Sequence, residues 1–340
     1  GSLQFNRKLN SKGRNIALRL YYNLDNGNSD RYSLANTYYL KYGDSIKVQN
    51  QWIDNLNRNH EYRVQLTYME PVFTNHFIEI NYSYQHRSSL SEKYAYDWND
   101  LEDSYSQYPD TAQSDCYKNK YSIHQVGAFF RTIRTNYFYN IGIEIEPQQT
   151  TNQSYMRDTT LEYSSRNAIN YAPTMNFKYT FSKQTTLRIN YRGRTTQPSM
   201  TDLYSKNDIS DPLNIRLTNP NLKPSFNNNI SATFNTYFTE TLRSFNANFS
   251  YSNTINSTTR IVTYDENTGG RTTQPTNVNG NWRINGSFTF STPLSNKKFT
   301  VNTYTNANYG NSVGFTVLNK ESDAVKSNTT NLFLSERLKG

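Results

Sequence analysis

Apolar and polar residues alternate over segment after segment of this chain. Ile16, Leu18, Leu20, Tyr22 and Leu24 are apolar, while Asn15, Arg19 and Asn23 between them are polar. Tyr62, Val64, Leu66 and Tyr68 alternate with Glu61, Arg63, Gln65 and Thr67. The stretches Ile78–Tyr84, Tyr137–Ile145, Met175–Phe181, Leu187–Tyr191, Ile230–Phe238, Phe245–Tyr251, Trp282–Phe290 and Phe299–Tyr309 repeat the pattern. Period two predicts strands with one dry and one wet face. Further strands are expected at about 3–10 and 119–131 and around Leu332 and Leu334.

The connections alternate in length. Short turns fall at about 11–14, 69–75, 132–135, 182–185, 239–243 and 293–297. Long polar stretches lie between them, among them 88–118, 148–168 and 310–327. Residues 25–59 are also polar, with YSLANTYYL and SIKVQNQWI readable as strand extensions or loop hairpins. The excursion after Tyr251 carries Asn267-Thr268-Gly269-Gly270, a hairpin signal. The strands run to roughly ten to thirteen residues, against five or six in soluble sheets. Long strands with alternating short and long connections predict an all-β, antiparallel, up-and-down transmembrane β-barrel. The count, about thirteen long strands, makes it a partial barrel beside the 22 of plugged transporters.

Closure supplies the physical reason. In hydrocarbon every backbone N–H and C=O must be paired, so a sheet spans only without an open edge. The Leu, Ile, Phe, Tyr and Ala rows are then expected to face lipid. The Asn, Arg, Thr, Ser and Glu rows line a hydrated lumen. Tyr68, Tyr84, Tyr137, Phe181, Tyr191, Phe238 and Tyr251, near strand ends, would form interfacial girdles.

Composition sharpens this picture. Hydrophobic residues make up 34% of the 340, low for a packed soluble core of this size. Aromatics reach 15%, with 29 tyrosines, which argues against disorder. The net charge of +9 raises nucleic-acid binding, but Lys and Arg are scattered singly, as on a hydrated face, and no nucleic-acid partner is expected. Cys116 is the only cysteine, so no internal disulfide or Cys metal cluster is expected. No apolar run approaches a membrane helix, which does not bear on a barrel. The opening GSLQF is not a signal peptide; Gly1-Ser2 reads as an added dipeptide, with the natural start upstream.

Candidate chemistry is sparse. His60, His76, His86 and His124 lack metal-ligand spacing, and no GxSxG elbow, P-loop or Rossmann fingerprint occurs. His86 with the Asp-rich loop after it could seed a barrel hydrolase, but reads as a rim residue, and no catalytic residue, metal or cofactor is assigned. The loop from Asp97 to Asp115 holds Asp97, Asp100, Glu102, Asp103, Asp110 and Asp115 among Trp98, Tyr105 and Tyr108. Such carboxylates could collect Ca²⁺ and such rings could stack on sugars, but the spacing fits no calcium loop. Asp97, Trp98, Asp100 and Asp103, with Arg192 and Arg194 at the end of another strand, are the candidate ligand contacts.

Residues 191–225 carry a more specific signal. YRGRTTQPSMTDLY followed by NPNLKPS resembles the outer-rim signature of TonB-dependent receptors, a PS-x-x-x-L-Y segment and then NP-x-L-KP-E. Pro198-Ser199 with Leu203-Tyr204 matches the first, and Asn219-Pro220, Leu222 and Lys223-Pro224 the second; Ser225 stands in place of the usual Glu. RKLNSKGR, NYSYQHR, YTFSKQTTLRINY and VNGNW are similar to the outer membrane protein β-barrel branch of these receptors. The prolines lack an N–H and hold the preceding residue out of helix, which suits a chain crossing a rim.

The resemblance implies residence in a Gram-negative outer membrane, surrounded by its lipid. It implies energised uptake of a bulky nutrient (metal chelate, vitamin, glycan or peptide), with TonB engaged through an N-terminal region not in this chain. Residues 1–340 would be one barrel segment, with plug domain and closing C-terminal strands outside it. Two rivals are a soluble extracellular β-sandwich or propeller binding carbohydrate, and a barrel enzyme with a rim His/Asp/Ser cluster.

Overall fold

The computed structural model describes residues 1–39, 45–156, 159–204, 211, 213–265, 269–294, 298–317 and 324–339. The first half holds β1 (Ser2–Lys8), β2 (Asn15–Tyr39), β3 (Ser45–Phe73), β4 (His76–Asn99), β5 (Ser104–Tyr105), β6 (Asp115–Ile133), β7 (Tyr137–Met156) and β8 (Thr159–Thr180). The second holds β9 (Thr186–Thr196), α1 (Met200–Tyr204), β10 (Asn214–Arg216), β11 (Ser225–Phe238), β12 (Arg243–Ile255), β13 (Ser257–Tyr264), β14 (Arg271–Val278), β15 (Asn281–Pro293), β16 (Thr300–Val317) and β17 (Ala324–Lys339). The main sheet has 14 strands; β5 pairs only with β4, leaving thirteen in the path β1-β2-β3-β4-β6-β7-β8-β9-β11-β12-β15-β16-β17. Every pairing along it is antiparallel. β10, β14 and β13 form a separate small sheet from the two excursions. β1 and β17 end the path, and no pairing joins them among the described residues.

The register aligns the alternating residues into belts. One row runs Ile78–Phe130–Ile141–Met175–Tyr191–Ile230–Tyr251–Ile284–Tyr309–Leu332 across ten strands. A second runs Phe5–Leu18–Leu66–Tyr82–Val126–Ile145–Tyr171. These rows lie outward: Ile141 in the first is 51% exposed and Val126 in the second 50%. The polar rows between them are the covered ones, with Ser83 3%, Asn81 7% and Glu146 8% exposed. A water-soluble protein does the reverse. An apolar exterior over a polar interior belongs to a sheet solvated by lipid, and it leaves no pair of dry faces from which a sandwich could be built.

The strands outrun the belt. β3 has 29 residues and β4 24, against roughly 9–11 needed to cross. The stretches 88–118 and 148–168, expected as loops, are instead mostly strand: β4 continues to Asn99, β6 begins at Asp115, and β7 and β8 reach Met156 and Thr159. Above the lipid both faces are wet, so the apolar alternation lapses while the ladder continues. By contrast β9 has 11 residues, β12 13 and β11 14.

The short turns stand where the pattern places them. Residues 69–73 belong to β3, so that turn tightens to Thr74-Asn75, with Asn75 at φ 66°. Gly13 takes φ 106° in the first turn, and Leu242 φ 55° in the β11–β12 turn. Residues 295–297 of the turn after β15, and 266–268 of the predicted hairpin, lie outside the described residues. That hairpin is otherwise formed, with Tyr264 opposite Arg271 and Gly269 at φ 70°. The sheet curls: Arg31 on β2 and Lys93 on β4 share a cleft with residues of β10 and β14, which rise from the far side of the strand path.

Candidate ligand-binding surface

The rim signature is built to hold an excursion in place. After β9 the chain turns at Gln197-Pro198 into α1, where the Asp202 N–H donates to Ser199 Oγ at 3.0 Å. Leu203 and Leu222, each 2% exposed, pack together against Tyr121 of β6. The Asn219 N–H donates to Asp202 O at 2.7 Å, and the Asn219 amide to Pro275 O at 2.9 Å. Asn277 receives the Lys223 N–H at 2.7 Å and donates to Lys223 O at 3.0 Å. The NP-x-L-KP motif therefore ties the 197–224 excursion to the 257–278 excursion through Asn277. VNGNW does the same one strand later. Asn279 Oδ1 accepts from the Asn256 N–H at 2.6 Å, and Asn281 Oδ1 from the Val313 N–H at 2.6 Å.

The polar face forms several concavities. One, about 580 Å³, is lined by Arg63, Gln125, Glu144, Glu146, Arg192 and Arg194 among others. Its acids are engaged: Gln125 Nε2 donates to Glu144 at 2.7 Å and Glu146 at 3.1 Å, and Asn81 Nδ2 to Glu144 at 3.1 Å. Arg63 donates to Gln125 Oε1 at 2.6 Å. A second, about 270 Å³, lies under α1 between Arg87, Tyr121, Arg166, Gln197 and Leu203. Arg87 sits over the Tyr121 ring at 5.8 Å. Arg166 Nη1 and Gln197 Oε1 are buried there without a partner, an unmet donor beside an unmet acceptor. A third, about 470 Å³, is the rim cleft of Arg31, Lys93, Asp211, Asn214, Arg216, Arg271 and Thr273.

The sequence candidates divide. Arg192 and Arg194 both reach the 580 Å³ chamber, brought there by their shared polar-face parity on β9. The Asp97 carboxylate accepts from Gln51 Nε2 at 2.7 Å, and its carbonyl takes the Ser106 N–H. Trp98 packs edge-on against Tyr105 at 5.0 Å, part of a ring cluster with Trp52, Tyr96 and Tyr32. Asp100 and Asp103 are exposed in the following turn, Asp103 at φ 49°. The structure thus brings Asp97 and Trp98 into the packing of the β4–β5 hairpin and places no two of the four acids and rings in a common chamber with Arg192 and Arg194. Among the described residues no three His, Cys, Asp or Glu gather as metal ligands. His86 Nδ1 lies 3.3 Å from Ser122 Oγ, and His124 Nδ1 2.9 Å from the Tyr82 hydroxyl. Burial pushes the Cys116 thiol above its ordinary range and, with the Glu92 hydrogen bond, raises the Tyr155 hydroxyl too.

Sequence reading passed over Arg63, Glu144, Glu146, Arg87 and Arg166. The usable signal was parity, since each falls on the wet face of its strand.

The model of the outer membrane protein beta-barrel family matches residues 7–339. The chain belongs to this family. It is a protein of the cell outer membrane, and its resemblance to the barrels of TonB-dependent receptors holds along nearly its whole length. No curated protein matches it by sequence. Among solved structures it resembles the copper transporter OprC, at 13% identity and a TM-score of 0.57, over 91% of this chain and 45% of that one. The outer membrane transporter YddB from Escherichia coli matches at 9% and 0.34, over 91% and 54%. The siderophore receptor PirA from Pseudomonas aeruginosa matches at 8% and 0.36, over 99% and 72%. The shared fold rests on the first of these, and the chain spans about half the length of the first two.

Proposed function

We propose that this family member is the barrel portion of an outer-membrane receptor that imports a bulky nutrient by TonB-dependent uptake. The observation that carries this reading is the inside-out sheet, whose covered face is polar and hollowed into chambers lined by unsatisfied donors and acceptors. Such a wall offers a bulky solute many weak polar contacts and no reacting constellation, which suits binding and release rather than chemistry. TonB would act through a region outside residues 1–340. The ligand falls among metal chelates, vitamins, glycans and peptides. Growth of a strain lacking this gene, on single iron, vitamin, glycan or peptide sources, tests the proposal. A growth defect on one source, reproduced by loss of TonB and cured by the intact gene, is expected. Equal growth on every source would refute it.

A further inference from the structure

Among the described residues that line these chambers, cations outnumber acids. The rim cleft holds Arg31, Lys93, Arg216 and Arg271 against one acid, Asp211. That carboxylate accepts from the Leu213 N–H at 2.9 Å and from the Asn214 amide, and its single charge stands against four positive ones. Ion pairs form at Arg14–Glu70, Arg131–Glu79 and Arg260–Asp202, and none of these includes a cation of this cleft.

The excess continues inward. The chamber under α1 is lined by Arg87 and Arg166, and Arg166 buries an unpartnered Nη1. The 580 Å³ chamber presents Arg63, Arg192 and Arg194 against Glu144 and Glu146, whose two charges remain under the amide hydrogen bonds of Gln125 and Asn81. Guanidinium groups suit paired oxygens of carboxylate or phosphate, and a concave wall focuses their field.

We infer that the imported ligand is a multiply charged anion, bearing carboxylates or phosphates, which is captured at Arg31, Lys93, Arg216 and Arg271 and descends past Arg87 and Arg166 to Arg192 and Arg194. The inference rests on the uptake reading and narrows it: neutral glycans and cationic peptides are excluded as principal cargo. The same chemistry could come from a soluble anion or from the phosphates of lipopolysaccharide.

The test uses the full-length protein purified in detergent, with tripolyphosphate as probe and uncharged maltohexaose as control, titrated calorimetrically at low salt. Tripolyphosphate should bind, with affinity falling at least tenfold in 0.5 M NaCl, about the loss that release of several counterions brings. Arg216→Glu with Arg271→Glu should weaken it at least tenfold. Arg31→Glu with Lys93→Glu, on the opposite wall, should do the same. Lys12→Glu with Lys183→Glu, an equal charge change in the short turns, should leave binding within twofold. Faster migration without boiling checks that each variant is folded. Vesicles containing lipopolysaccharide form the second arm: capture by vesicles with no binding of the free probe assigns the anion to lipid, and tripolyphosphate binding assigns it to solution. Binding of neither, or equal binding by both rim variants and the wild type, overturns the inference. A neutral nutrient whose uptake needs this gene but survives both rim variants would overturn it while leaving the uptake reading intact.

Discussion

Leu222→Ala should release the rim excursion without loosening the barrel. Leu222 and Leu203 are each 2% exposed and meet only each other and Tyr121 as apolar neighbours in their cluster. Truncating a buried leucine to alanine costs about 2–5 kcal/mol, depending on how far the cavity collapses. Here the site borders the chamber under α1, so collapse is partial and about 3 kcal/mol is the working figure. At 1.4 kcal/mol per decade, local opening becomes about a hundredfold more frequent. Hydrogen exchange on the purified protein reads this directly, because the excursion can open as a unit of its own. The amides of Leu217 and Arg271, bonded to Thr273 and Leu213 across the two excursions, and of Asn219, bonded to Asp202 within the first, should lose about two decades of protection. Those of Ile189 and Ala232, inside the sheet ladder, should not change. A shift under threefold at the rim, or an equal loss in the ladder, would refute the argument.

Four further outcomes follow from the same geometry. Ile141→Arg, in the middle of the outward row, should cost about 2–4 kcal/mol in lipid vesicles, while Asn190→Arg on the wet face should cost under about 1 kcal/mol; urea unfolding followed by tryptophan fluorescence separates them. Cys116, 1% exposed and with its thiol pushed up by burial, should resist maleimide at pH 8 in the folded protein and react fully once denatured. Leu242→Gly should stabilise by about 1 kcal/mol, because φ 55° strains a side chain with a Cβ; the denaturation midpoint reports it. At the short-turn end, Arg14, followed by Tyr68, holds the Glu70 carboxyl below its ordinary value. A lowered folded value stabilises above the unfolded pKa and is lost as pH falls through the folded one. Glu70→Gln should therefore flatten the acid limb of the stability profile, as measured by unfolding midpoints between neutral pH and pH 3.

The period-two pattern made the spanning parts of the strands legible, because lipid on one side and water on the other force opposite chemistry onto alternate residues. It lost the upper halves of β4, β7 and β8 and the first few residues of β6, where both faces are wet and Ser88–Ser89 or Thr150–Thr151 read as loop. Arg192 and Arg194 were found because the rim motif pointed at their strand. Arg31 and Lys93 were not, since only the curl of the sheet sets them beside Arg216 and Arg271. Asp97 misled because its partner, Gln51, is 46 positions away, bonded across the strand pair. The rim motif itself was read as a marker of architecture, and its physical content, the Asn277 bridge, needed both excursions in view.

The unequal strand lengths have a consequence for how the cell surface is seen from outside. β3 exceeds β9 by 18 residues, from lengths of 29 and 11, or some 60 Å along the strand at about 3.3 Å per residue. β2–β4 thus stand as a palisade well clear of the bilayer, while over β9 to β15 the added height is carried by the two excursions and their small sheet. Antibodies and phage tails approaching a living cell would meet a continuous ladder on one flank and a separately folded cap on the other. The rim cleft draws residues from both flanks, so sequence change that evades such attackers should be constrained around Arg31, Lys93, Arg216 and Arg271 and freer away from them.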